Sequence, residues 1–106
     1  MGFDQYHEPA SDLSQETRTF ARMIASLQEE CEAIGWYQQR ISIEQDAEAK
    51  SIMEDAQKEE FLHFAMDLEF LMRRTPKWRV AAQKVLFQSG NIIDNKERGE
   101  DAEDKM

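Results

Sequence analysis

The sequence predicts an all-α fold: an antiparallel two-helix hairpin and a short third helix, with two chains dimerising into a four-helix bundle. Apolar residues recur at alternating steps of four and three along one long stretch and line one side of a second, the period of a helix face rather than a strand. Only 4 Gly and 2 Pro leave little room for the turns of a many-stranded sheet. Hydrophobic residues make up 41% and charged residues 33% of the chain, too apolar for a wholly disordered protein. At 106 residues the chain is near the low end for burying a self-sufficient core, which is the first argument for self-association.

Residues 1–10 read as a lead-in ending at Pro9. The first helix carries Leu13, Thr17, Phe20, Ile24, Leu27, Cys31 and Ile34 on one seam, with Ser11 expected as its N-cap. It is expected to reach Arg40 or Ile41, a length of about 42 Å at 1.5 Å per residue. Gly35 inside it is a place where another backbone can come close. Ser42–Asp46 form the turn, and a second helix runs from Ala47 to Arg74. Its apolar side holds Ala49, Ile52, Met53, Ala56, Phe64, Leu68, Leu71 and Met72. Thr75-Pro76 starts a third helix bearing Trp78, Ala82, Val85 and Leu86 and stopping at Gly90. The helical domain spans 11–93. The charged segment from Asp94 to Met106 is expected to be a disordered tail. A hairpin of this kind buries one apolar stripe per helix and leaves another wet, so a second copy is expected to cover it.

The formal net charge of −9 argues against nucleic-acid and anionic-membrane partners, which need basic patches, and suits a protein that attracts cations. No apolar stretch approaches bilayer length. The N-terminal segment lacks the basic and apolar regions of a signal peptide, and the single Cys31 fits a reducing cytoplasm. His7 reads as exposed and idle, and Cys31 as packing rather than ligand.

Three ionisable residues break the apolar pattern. Glu30 lies between Leu27 and Ile34, and Glu60 and His63 follow Met53 and Ala56. A carboxylate on the buried side of a bundle is costly unless it is paired or bound to a cation. Glu60-x-x-His63 puts a carboxylate and an imidazole side by side on one helix face. Di-metal carboxylate bundles take one Glu from each of two helices and a Glu-x-x-His from each of two others. This chain has one of each, half the set on half the helices, so two chains complete one site across a two-fold axis. Oxygen and imidazole donors together suit iron or manganese, with zinc as a competitor.

Two other readings fit the same spacing: a metal-stabilised structural dimer holding zinc or calcium without turnover, and a non-catalytic helical assembly or adaptor whose charges only solvate helix faces. The segments EECEAIGWYQQR at 29–40 and EEFLH at 59–63 discriminate among them, because together they resemble the encapsulated ferritin family. The resemblance runs from His7-Glu8-Pro9 to about Ile93 and takes in Lys77-Trp78 and Val85-Leu86-Phe87.

The resemblance implies a ferritin-like bundle and a ferroxidase that oxidises Fe(II) to Fe(III) with dioxygen at a di-iron centre, one per subunit pair. It places the iron ligands on Glu30, Glu60 and His63, carboxylates that lead iron inward on Glu29 and Glu32, and site-adjacent aromatics on Trp36 and Tyr37. Tyr37 is thereby a candidate electron or hydrogen-bond donor. The resemblance also implies a homodimer, five of which form an annular decamer, and a cytoplasmic encapsulin shell in which the iron is stored. The chain departs from the family pattern at two points. Leu62 stands where an acidic residue often precedes the motif histidine, so no additional outer metal site is expected. The segment Asp94–Met106 also lacks the apolar shell-targeting peptide with which standalone members often end.

Overall fold

In a computed structural model, residues 5–106 are described, and they contain helices and no strand. A turn of 3₁₀ helix at Ala10–Asp12 precedes α1 (Gln15–Ile43), α2 (Ala47–Arg73), α3 (Pro76–Val85) and α4 (Ile92–Asp104). Residues 1–4 of the expected lead-in lie outside the described residues.

The helix ends follow from side-chain capping. Ser14, not the expected Ser11, caps α1, its hydroxyl accepting from the Thr17 amide at 3.1 Å. Ser11 is taken up by the short turn that Pro9 opens, where Asp12 N–H donates to the Pro9 carbonyl at 2.9 Å. Asp46 caps α2, with Oδ1 2.8 Å from the Ala49 amide. The connection between the two helices is therefore only Glu44–Asp46, and its tightness forces a reversal. Thr75 does stand before Pro76 at the start of α3, but its hydroxyl makes no cap. It donates instead to the Leu71 carbonyl at 3.0 Å, satisfying an orphan acceptor at the end of α2.

The chain divides into two compact units, residues 1–69 and 70–106, with the boundary inside α2. The first unit is the α1–α2 hairpin. Gln57 Nε2 donates to the Ile34 carbonyl (3.2 Å) and to Gln38 Oε1 (3.0 Å), while Glu30 interacts with Glu60 and Asp67 further along α2. Contacts that move backward along α1 as they move forward along α2 define antiparallel helices. Gln57 is buried and spends both amide protons on α1, so it fixes the register of the two helices one turn from Glu60. No atom comes within 4 Å of the place where a Cβ on Gly35 would stand, so the expected close approach is absent within the described chain. Ile52, expected on the apolar side, is exposed, as are Trp36, Phe61, Leu62 and Met66.

The second unit contains the end of α2, α3 and α4, and Leu71 is its fully buried apolar residue. Here the expected disordered tail is corrected: Ile92–Asp104 is helical. Asn91 starts α4 by accepting from the Ile93 and Asp94 amides at 2.9 and 3.1 Å. Asn95, fully buried, donates to the Ser89 carbonyl at 3.2 Å and accepts from Arg98. Gly99 lies so near α3 that a Cβ there would stand 3.0 Å from the Ala81 carbonyl oxygen. α4 thus docks through an asparagine and a glycine, with little apolar surface of its own. The turn before it is shaped by Phe87 (φ 60°) and Gly90 (φ 93°), and α3 ends at Val85 rather than running to Gly90.

Candidate metal centre

Glu30 sits near the middle of α1, and Glu60 and His63 lie on α2 at i and i+3. The antiparallel register that Gln57 sets brings these three within electrostatic reach of one another. The hairpin therefore brings Glu30 to the level of Glu60 and His63, which lie 30 and 33 residues further along the sequence. His63 Nδ1 is 2.9 Å from Glu60 Oε1, an interaction that orients the ring and leaves Nε2 as the nitrogen available to a cation. The imidazole is about half exposed and Glu60 rather less, at 51% and 22%. The site thus lies on the flank of the hairpin, open on the side of His63.

The electrostatics are those of crowded negative charge. Glu30 is pushed up to about 7, first by burial, then by a hydrogen-bonding contact with Asp67, then by the negative charges of Asp67 and Glu60; His63 opposes the shift. His63 is raised above its ordinary value, chiefly by its bond to Glu60, with Glu30 and Glu59 adding to it against some desolvation. Glu30 Oε2 and Asp67 Oδ2 are both buried and, apart from the contact of the two carboxyls with each other, neither has a hydrogen-bond partner. Unbonded carboxylate oxygens beside an oriented imidazole form a donor set of the kind that hard and borderline divalent cations such as iron take. The residues present fit a metal. Within a single chain they form two pairs, Glu30 with Asp67 and Glu60 with His63. Among the described residues, no group of three or more His, Cys, Asp or Glu comes together closely enough to hold one ion alone.

Asp67 escapes the sequence reading. It is four residues beyond His63 and seven beyond Glu60, so the same spacing rule that links Glu60 and His63 extends to it. Between Met66 and Leu68 it passes for a polar interruption of an apolar side. The aromatic candidates follow Glu30 on α1 by about two turns. Tyr37 is partly buried, with the Arg40 guanidinium 5.4 Å from its ring centre, and Trp36 lines a shallow hollow with Gln39 and Arg40. Of the predicted uptake carboxylates, Glu29 is exposed and Glu32 partly covered, and Cys31 between them is an exposed free thiol.

A long antiparallel hairpin carrying a carboxylate–imidazole constellation on one flank is the architecture of a ferritin-like helical fold. Comparison with known proteins agrees. The EncFtn-like family model matches residues 5–89, and the chain belongs to that family. A ferritin-like protein of Thermotoga maritima is 43% identical over 94 residues, 89% of this chain and 82% of that protein. An encapsulated ferritin-like protein of Rhodospirillum rubrum is 41% identical over 86 residues, covering 81% of this chain and 61% of the relative's length. Among solved structures, the crystal structure of protein ne0167 from Nitrosomonas europaea superposes with a TM-score of 0.80 at 40% identity, covering 84% of this chain and 99% of that one. The family match ends before α4, so this helix lies beyond the part of the chain that the family model covers. No described helix is long and apolar enough to cross a membrane.

Proposed function

We propose that this chain is a ferroxidase of the encapsulated ferritin type, oxidising Fe(II) to Fe(III) at a di-iron site shared by two copies and serving iron storage in an encapsulin compartment. One observation carries the reading: within reach of the charges of Glu60 and His63, Glu30 buries an oxygen that has no partner but another carboxyl, that of Asp67. Burying a carboxylate in that state is unfavourable for an apolar bundle and favourable for a cation site.

The roles of the residues follow from their surroundings. Glu30, relieved of its proton as iron arrives, supplies negative charge to the metal, so binding releases a proton. Glu60 holds the His63 ring through Nδ1 and presents its remaining oxygen. His63 contributes neutral imidazole on the exposed flank. Glu29 and Glu32, on the same stretch of α1, lend negative potential to the approach of Fe(II). Each Fe(II) gives one electron to dioxygen. Trp36 and Tyr37 are assigned to the surroundings of the centre, with Tyr37 the candidate electron or hydrogen-bond donor. Because one chain contributes only part of a ligand set and leaves Phe61, Leu62 and Met66 exposed on α2, a second copy completes both the site and the bundle. Dimers of this kind are the unit from which the annular decamer is built.

The test is oxygen-dependent iron oxidation by the purified chain, followed as ferric absorbance. The expected result is a fast phase well above buffer autoxidation that His63→Ala and Glu30→Ala reduce by about two orders of magnitude or more. Tight iron or zinc binding without turnover would replace the ferroxidase by a metal-stabilised structural dimer. Neither binding nor turnover would leave a helical adaptor.

A further inference from the structure

We propose that Asp67 is a further oxygen donor of this centre, acting with Glu30. The inference rests on reading Glu30, Glu60 and His63 as a cation-binding set, and it adds a position to that set.

Three placements support it. Glu60, His63 and Asp67 follow one another at steps of three and four along α2, so Asp67 extends the ligand row by one turn. Asp67 is within hydrogen-bonding reach of the Glu30 carboxyl across the hairpin, which links the two helices at the level of the site. Each of the two carboxyls also keeps one oxygen, Glu30 Oε2 and Asp67 Oδ2, shut off from solvent and without a partner. Apart from each other, these two oxygens have none of the partners on which a structural acid ends, a backbone amide, a hydroxyl or a base. Two carboxylates turned toward each other with free oxygens are stabilised by a divalent cation between or beside them, since oxygen donors are what such ions prefer. With Asp67 included, each chain offers three carboxylates and one imidazole, so the carboxylates of a pair of chains match the charge of two ferric ions and exceed that of two ferrous ions.

The test measures Mn(II) binding to the full chain without oxygen, by the loss of the free-ion magnetic resonance signal, together with metal-free thermal melting. Asp67→Asn removes the charge and keeps the shape, and Asp67→Glu keeps the charge. The expected result is a fall in Mn(II) affinity on the order of tenfold or more for Asp67→Asn, with most of the affinity retained by Asp67→Glu. Metal-free Asp67→Asn should melt no lower than the parent, because the substitution removes a repulsive contact. Mn(II) affinity of Asp67→Asn within about twofold of the parent, while His63→Ala loses it, would overturn the role of Asp67 and leave the centre standing. A metal-free Asp67→Asn that melts lower or does not fold would make Asp67 a structural residue and also overturn the role. A parent chain that binds neither Mn(II) nor Fe(II) would overturn the centre itself, and this proposal with it.

Discussion

In the α3–α4 pair Asn95 is fully buried and both ends of its amide are bonded, to the Ser89 carbonyl and to Arg98. In the α1–α2 hairpin Glu30 and Asp67 each bury a carboxylate oxygen with no partner, and several large apolar residues on the same two helices face solvent. The first pair has satisfied its polar groups within the chain; the second has not. Exposed apolar residues occur in both, Phe87, Ile92 and Ile93 among them, so it is the unmet polar demand that separates a structural element from a site, and metal and second subunit are expected to answer it together.

If the contrast is right, the α3–α4 pair should respond to substitution as packing and the hairpin as chemistry. The largest stability effect is expected at Asn95→Ala, which strands the Ser89 carbonyl and Arg98 and should cost about 2–3 kcal/mol in a denaturant titration. Iron oxidation measured below the unfolding transition should be unchanged. Gly99→Ala should cost somewhat less, about 1–2 kcal/mol, because the added Cβ crowds the Ala81 carbonyl while alanine favours the helix. A loss of metal binding in either variant would break the separation of roles.

The smallest effect is the most specific to the hairpin. Glu30 is raised from 4.5 to about 7 in the folded chain, so between these values the folded state holds a proton that the unfolded state has lost. Its favourable contribution is complete below 4.5 and is lost as pH rises to about 7. The raised His63 works in the same direction over its own range. Thermal melts of the metal-free protein should therefore fall as the pH is raised from 4.5 through about 7, and Glu30→Gln should flatten that fall. Thus Glu30→Gln should stabilise the metal-free protein above about pH 7 and weaken metal binding, the opposite of the pattern expected at Asn95.

Much of the hairpin is legible in the sequence because its information is periodic. The four-three spacing from Leu13 to Ile34 and the Glu60-x-x-His63 pair specify helices, their faces and the residues that interrupt those faces. Glu30, Glu60 and His63 are found together for that reason. Asp67 is on the same row but lacks a motif, and only the crossing of α1 over α2 shows that it meets Glu30. The Ser14 cap was masked by Ser11, three residues earlier, because Pro9 closes a separate turn first. α4 is hidden for a different reason. It is held by one buried asparagine bonded to the preceding turn and one glycine close to Ala81 of α3, so neither hydropathy nor composition distinguishes it from a charged tail. The signals it does carry are the Asn91 cap and Gly99, which are small residues at helical spacing and gain meaning only against the surface of α3.

The central claim is that two chains share one iron centre, and native mass spectrometry during an anaerobic Fe(II) titration tests it most directly. Iron is expected on dimers and their multiples, saturating at about one iron per chain, and His63→Ala should abolish both the iron and its contribution to assembly. Iron bound stoichiometrically to monomers, or dimers whose formation and mass are indifferent to Fe(II), would contradict it.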